Sequence, residues 1–426
     1  MTHKLINGVQ TYLAELRLLT PNARKYLLGS FFIGMTYASF QLLLNLYLRE
    51  KGCSEGFIGS VLSAGAIGTA LVCIPGAIIL SRIRLKAVLT ISTLLYMASG
   101  LITIYTDSKE IIWLSFLCGG MMLTFYRIAA APFFMRNSSP IERPYLFSLS
   151  FGISVVAGVV GSFLFGRLVE YFAGSCGTDS VWAHRLALTV GISFSLLALI
   201  PFGLIRTPNS ISSEDSLEIS KEIIRKVRRP FLRLALPYFL VGAGAGMIIP
   251  FLNLFFRDRF GQSPQEIGFY YGMVNLTMFI GVMAGPVLVR KFGMVRTLVY
   301  TQLLSIPFML VLAFSYSFPL VIFAFLMRGG LMNMGQPIGT NFAMEMVPKA
   351  YHGLLNAFLS FAWMSSWMVA AQVGGLVIEK YGYSASLLVA VGMYVLSTVL
   401  YYLYFRRAER FTPDGIMISA DYRMLG

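Results

Sequence analysis

Charged side chains are scarce: Asp, Glu, Lys and Arg make up 12% of the 426 residues, about half the roughly 25% that soluble domains carry. A soluble enzyme, a nucleic-acid binder and a disordered chain are excluded on that ground. Cysteine is scarcer still. Cys53, Cys73, Cys118 and Cys176 form no CxxC and no metal-ligand spacing, so no metal site is expected. Cys73 and Cys118 lie inside apolar runs and are expected to be small buried residues, whereas Cys53 and Cys176 fall in loops on one side of the membrane, which leaves a disulfide between them open but not expected. No GxxxxGK[ST], HExxH or GxSxG occurs, which excludes P-loop ATP hydrolysis and two common hydrolase sites. The chain is therefore expected to bind no nucleotide or other cofactor and not to be an enzyme. The first residues show no apolar core ending at a small-residue cleavage site, so no cleaved leader is expected.

What is abundant is apolar: 57% of the residues, arranged in long blocks. A helix needs about 20 mostly apolar residues to cross a hydrocarbon layer. Twelve segments qualify: 26–48, 57–79, 87–106, 111–134, 145–169 and 184–205, then 234–256, 267–289, 297–316, 319–343, 353–378 and 384–405. None alternates apolar with polar residues as a barrel strand would, so all read as helices. With the N-terminus inside, inner segments hold 24 of the 34 Lys and Arg, and outer segments hold 8. The net charge of +15 is then mostly a topology signal. It predicts a multi-pass protein of the plasma (inner) membrane, with both termini cytoplasmic and lipid as its surroundings. The organisation read this way is a cytoplasmic N-terminal segment (1–25), a six-helix bundle (26–205), a cytoplasmic central loop (206–233), a second six-helix bundle (234–405) and a cytoplasmic tail (406–426).

The halves repeat. A shift of 209 positions brings Ser54 onto Ser263, Ile58 onto Ile267, Gly59 onto Gly268, Gly76 onto Gly285, Phe133 onto Phe342 and Glu170 onto Glu379. A shift of 208 lays NLYLRE (Asn45 to Glu50) over NLFFRD (Asn253 to Asp258). Six helices separate the copies, so both halves have the same orientation, as in parallel repeats about an axis along the membrane normal. The fold class is an all-α integral membrane protein: twelve transmembrane helices in two six-helix bundles related by a pseudo-two-fold axis.

With six plus six spans, a polar central loop and a basic loop after the second helix of each half, the chain resembles the major facilitator superfamily over nearly its whole length. The family signature between helices two and three runs roughly G-x-x-x-D-R-x-G-R-R. Here PGAIILSRIRLK keeps Arg82 and Lys86 and gains Arg84, while Ser81 stands where the family has Asp. The second copy, AGPVLVRKFGMVR, keeps Lys291 and Gly293 and has Arg290 at the Asp position. The fifth-helix antiporter signature G-P-x-x-G-G is broken at Ser162 and Phe165, so the resemblance stops at the superfamily. It implies that the basic loops hold the inner helix ends together, with Arg82 and Arg84 pairing with Glu142, and Arg290 or Lys291 with Glu345. The competing reading is plain topology determination. Ser81 can cap a helix but brings no charge.

Two ionisable residues lie at membrane depth, Arg127 in helix four and Arg328 in helix ten. Such residues usually face a cavity or the bundle interior. The resemblance implies that helices one, four, seven and ten line a central cavity, where two guanidinium forks would suit a carboxylate or phosphate. The alternative is that each arginine bonds carbonyls or amides within its bundle. Tyr37, Gln41 and Asn45 in helix one are further candidates to line the cavity, with Tyr238 and Asn253 in helix seven and Tyr271 and Asn275 in helix eight. Helix ten adds Asn333, Gln336, Thr340 and Asn341, and helix eleven adds Asn356, Trp363, Trp367 and Gln372. For any one of them an interhelical hydrogen bond is the competing role. No carboxylate sits mid-span to carry a proton, which leaves facilitated movement, exchange, or coupling through terminal acids such as Glu345. The run Gly242-Ala-Gly244-Ala-Gly246 follows no strand and reads as close packing or a flexible point in helix seven. The function expected is a secondary transporter, acting as a monomer, that moves a small organic solute by alternating access. Its rivals are an exporter of hydrophobic or amphiphilic compounds and a non-transporting membrane protein on the same fold.

Overall fold

Main chain surrounded by apolar side chains and lipid can satisfy its hydrogen bonds only internally, and each apolar run folds as a helix. The computed structural model describes residues 20–137, 143–175, 177–206, 221–347, 352–406, 409–411 and 417–420. Helices one to six are Pro21–Glu50, Glu55–Arg82, Leu85–Tyr105, Lys109–Arg136, Arg143–Ser175 and Ser180–Gly203. Helix seven comes in two pieces, Lys221–Ile248 and Leu252–Phe260, joined by a 3-10 turn at Ile249–Phe251. Helices eight to ten are Pro264–Phe292, Met294–Phe314 and Phe318–Glu345. Helices eleven and twelve form the stretch His352–Phe405, divided at Gly382, whose φ of 81° and ψ of 173° leave the helical region. Among the described residues this gives the twelve spans expected.

Side-chain caps fix several helix starts. Ser108 and Asp179 accept from Ile111 and Trp182 N–H groups, and Ser263 with Glu266 closes a reciprocal capping box. At the other ends, Gly52 and Gly261, 209 positions apart, both take left-handed φ values, 77° and 65°. Only glycine adopts that geometry without cost, so the repeat extends to backbone conformation.

The chain divides into two compact units. The described residues of Met1–Leu44 and Gly68–Glu214 form the first, and those of Asn45–Ile67 and Asp215–Gly426 form the second. In the first unit, Tyr26 packs at the centre of a ring cluster, with centroids 4.5 Å from Phe133, 5.3 Å from Phe134 and 5.8 Å from Phe202. In the second, Phe342, Tyr401 and Phe405 form an equivalent cluster. Small residues let helices approach closely, as membrane bundles require. A methyl group on Gly59 would meet the backbone of Gly375, and one on Gly281 the backbone of Gly330. The glycine run of helix seven is a packing device: added methyls on Gly244 and Gly246 would meet Ala390 and Ala370.

Two expectations are corrected. Residues 206–233 are not loop throughout, because helix seven begins at Lys221. Its first turns are charged, so hydropathy did not register them. Cys73 and Cys118 are exposed. Cys118 continues the exposed stripe of Ile111 and Leu114, and a thiol in an apolar run suits a lipid-facing stripe as well as a core. In the tail, Glu409–Phe411 pairs antiparallel with Met417–Ala420. Cys53 is buried, while Cys176 lies outside the described residues, and with it the question of a Cys53–Cys176 pairing.

Candidate functional site

The first unit carries the exposed member of the two buried-depth cations. Arg127 lies about two and a half helical turns after Cys118, which puts it on the face of helix four opposite the apolar Ile111–Leu114–Cys118 stripe. Its guanidinium carbon sits 5.4 Å from the centroid of the Tyr37 ring, and Tyr37 is itself 43% exposed. Gln41, four residues further along helix one, is exposed on the same face. Among the described residues Arg127 makes no hydrogen bond and no ion pair, so its planar fork of donors is directed at whatever fills that face. The nearby Tyr96 of helix three is half-buried.

Arg328 has a different environment. It is 4% exposed, donates from Nη2 to the Tyr394 hydroxyl at 2.9 Å and lies 5.5 Å from the centre of that ring. Its Nε is buried without a hydrogen-bond partner among the described residues. The two arginines expected at membrane depth therefore have different surroundings. One guanidinium is presented and stacked, and the other is enclosed and held by a helix-twelve tyrosine that the sequence reading did not single out.

Several of the amides expected to line a cavity turn back onto their own helices. Asn275 donates to the Tyr271 carbonyl at 2.8 Å and Asn333 to the Gly329 carbonyl at 2.9 Å. Thr340 donates to the Gln336 carbonyl. Gln336 and Asn356 are exposed and Gln372 half-buried. Three aromatic candidates come together across helices seven and eleven: the Tyr238 ring lies 5.6 Å from Trp363, which lies 6.3 Å from Trp367. Trp367 Nε1 is buried and without a partner among the described residues.

Asn45 and Asn253 are brought together at the interruption of helix seven. Asn45 Nδ2 donates to the Pro250 carbonyl at 2.5 Å and to Asn253 Oδ1 at 3.3 Å. Just beyond them, Arg257 pairs with Glu50 and Arg49 with Glu55 at 3.1 Å. Glu379 accepts from the Gly56 N–H at 2.9 Å, and Asp258 from the Tyr383 hydroxyl at 2.6 Å. Sequence reasoning missed this cluster, because charges at helix ends were counted as topology signals. The available signal was the NLYLRE/NLFFRD repeat, whose two copies carry Arg-Glu and Arg-Asp in register.

The expected gate at the basic loops is not assembled among the described residues. Arg290 and Lys291 make no ion pair with Glu345. Glu345 instead accepts from Asn341, one turn away, at 3.1 Å, and the Lys291 ammonium lies 5.3 Å over the Phe292 ring. A neighbour on the same helix face satisfies the carboxylate locally. Arg84 is exposed. The side chains of Ser81 and Arg82, and Glu142 entirely, lie outside the described residues.

A family model described as Major Facilitator Superfamily matches residues 26–299 and 234–416. Among solved structures the chain is similar to the nucleoside transporter NupG, with a TM-score of 0.73 at 13% identity over 91% of this chain and 99% of that one. It is also similar to a bacterial homologue of the human lysosomal transporter Spinster (TM-score 0.71, 14% identity, 92% and 97% covered). A bacterial homologue of the iron transporter ferroportin gives a TM-score of 0.69 at 14% identity, covering 91% and 99%. A curated relative, Sugar transport protein MST4 of Oryza sativa subsp. japonica, is 32% identical over 102 residues, 23% of this chain. The chain spans 18% of that relative's length.

Proposed function

Because the chain belongs to the major facilitator superfamily and is a membrane transporter, we propose that it moves a small organic anion across the plasma membrane by alternating access, with both termini cytoplasmic. The observation that carries this reading is the state of Arg127: a presented guanidinium over the Tyr37 ring, with no carboxylate beside it among the described residues. A cation at membrane depth is costly without a counter-charge, and a planar fork over an aromatic face suits a carboxylate or phosphate. Gln41 on the same face adds a neutral hydrogen-bonding group, and Tyr37 supplies a surface for the organic part of the solute. Arg328 supports the reading from a distance, as a residue that organises helices ten and twelve rather than one that meets solute.

A second reading, export of hydrophobic or amphiphilic compounds, draws on the Tyr238–Trp363–Trp367 rings. Neutral solutes enter the comparison because the similar proteins are named for a nucleoside and for sugar. A thermal-shift screen with benzoate, inorganic phosphate, uridine, glucose and tetraphenylphosphonium separates these readings. Stabilisation by an anion in the wild type that is lost in Arg127→Gln supports the anion reading. Stabilisation by uridine, glucose or tetraphenylphosphonium that survives Arg127→Gln overturns it.

A further inference from the structure

In an unbroken helix every N–H bonds the carbonyl four residues earlier. Helix seven abandons that pattern at Ile249–Phe251, and the fate of several displaced groups can be followed. Pro250 offers no N–H to the Gly246 carbonyl. The Met247 carbonyl, whose helical partner would be Phe251, accepts from Ser386 Oγ at 2.8 Å. The Leu252 N–H bonds back to Ile249 in a tighter turn. The Asn253 N–H meets the Tyr271 phenol oxygen. The Leu254 N–H goes to Asn253 Oδ1 at 2.9 Å, which releases the Pro250 carbonyl to Asn45 Nδ2 at 2.5 Å.

These side chains come from helices one, eight and twelve and from helix seven itself, and Asn45, Asn253 and Ser386 are 3%, 0% and 0% exposed. Unsatisfied main-chain groups in a dry interior are strongly unfavourable. An interruption at which side chains from three other helices take up the displaced main-chain groups is a constructed joint, not a local defect at a proline. It also has an alternative arrangement. If the Leu254 N–H bonded the Pro250 carbonyl instead, the helix would straighten by a turn and the Asn45 amide would be released.

We infer that Asn45, Asn253, Tyr271 and Ser386 are positioning residues for transport: their side chains hold helix seven in its interrupted form, and the cycle passes through exchange of these bonds with main-chain ones. The inference rests on the transporter reading only for its consequence in flux; the joint itself is tested separately. The two asparagines have opposite duties. Position 45 must donate, whereas position 253 must accept, from Leu254 and from Asn45. Asn45→Asp and Asn253→Asp are isosteric and add the same buried charge, but the first removes the donor at position 45 whereas the second keeps the acceptor oxygen at position 253.

Hydrogen–deuterium exchange of the full-length protein in lipid nanodiscs reads the joint through peptides spanning 247–256. Asn45→Asp should change exchange there at least tenfold, while Asn253→Asp stays within threefold of wild type and peptides from 85–105 stay unchanged in both. Tyr271→Phe, which keeps shape, should speed exchange at Asn253 at least fivefold and serves if Asn45→Asp fails to fold. Equal effects of the two asparagine variants, or an unchanged 247–256 stretch in Asn45→Asp and in Tyr271→Phe, overturn the inference. In proteoliposomes, benzoate counterflow by Asn45→Asp should lose at least tenfold in maximal rate with half-saturation within threefold. A proportionate loss in both constants would place Asn45 at the solute and also overturn the positioning role. Absence of benzoate flux in the wild type would count against the anion reading and leave the exchange result to decide the joint.

Discussion

The guanidinium of Arg127 and the ring of Tyr37 meet at 5.4 Å across helices one and four, and among the described residues the ring, not a carboxylate, is the cation's partner. An aromatic face attracts a cation without neutralising it, so the guanidinium keeps its positive charge, as the proposed anion reading requires. Exposed pairs of this kind contribute about 0.5–1 kcal/mol, or roughly two- to fivefold in affinity. Tyr37→Ala should weaken anion binding by that factor in a titration followed by thermal shift, and Tyr37→Phe, which keeps the π face, should bind within about twofold of wild type.

Arg328 and Tyr394 give the opposite case, a buried charge held by one hydroxyl at 2.9 Å. Tyr394→Phe removes the acceptor and leaves the guanidinium enclosed, at a cost of about 1–3 kcal/mol. Arg328→Met removes the charge itself and should cost less, since apolar replacement of buried ions is often neutral or stabilising. Melting temperatures in detergent should therefore fall further for Tyr394→Phe than for Arg328→Met. The reverse order would show that the arginine, not its satisfaction, holds helices ten and twelve.

Gly281 and Gly330 set the approach of helices eight and ten, with no room for a methyl group between Gly281 and the Gly330 backbone. Overpacking at such a contact costs about 1–3 kcal/mol. Gly281→Val should lower the yield of monodisperse protein and its melting temperature, whereas Gly392→Val, at a glycine with open space around it, should leave both near wild type.

The Glu50–Arg257 pair is partly buried, with side chains 21% and 31% exposed. Each single neutralisation, Glu50→Gln or Arg257→Gln, strands the other charge, and the double variant strands neither. A double-mutant cycle on thermal stability should give a coupling of about 0.5–2 kcal/mol, with the double variant less destabilised than the sum of the singles. Additive losses would mean that the pair contributes only as two separate charges.

The span count, the tandem repeat and the superfamily were legible because each depends on hydropathy and on residues recurring at a fixed offset. Arg127 was legible as a lone cation in an apolar run. The interruption of helix seven was not, since Pro250 sits within a continuous apolar segment and proline alone does not tell a kink from a break. Tyr394 was invisible as the partner of Arg328 because the two are 66 positions apart and tyrosine is common at membrane depth. The cluster at Glu50, Glu55, Arg257 and Glu379 was missed because a charge at a helix end carries the same topology signal whether it is paired or solvated. Asn45 and Asn253 were singled out as possible ligands, yet their amides serve main chain, a use that composition cannot separate from solute binding.

Saturable counterflow in proteoliposomes tests the central claim most directly, with benzoate on both sides and wild type compared with Arg127→Gln and Arg127→Lys. The account predicts saturable flux in the wild type, a loss of at least about tenfold in Arg127→Gln from one lost charge-assisted contact, and partial retention in Arg127→Lys, which keeps the charge but not the fork. Flux of the anion at the wild-type rate in Arg127→Gln would contradict it.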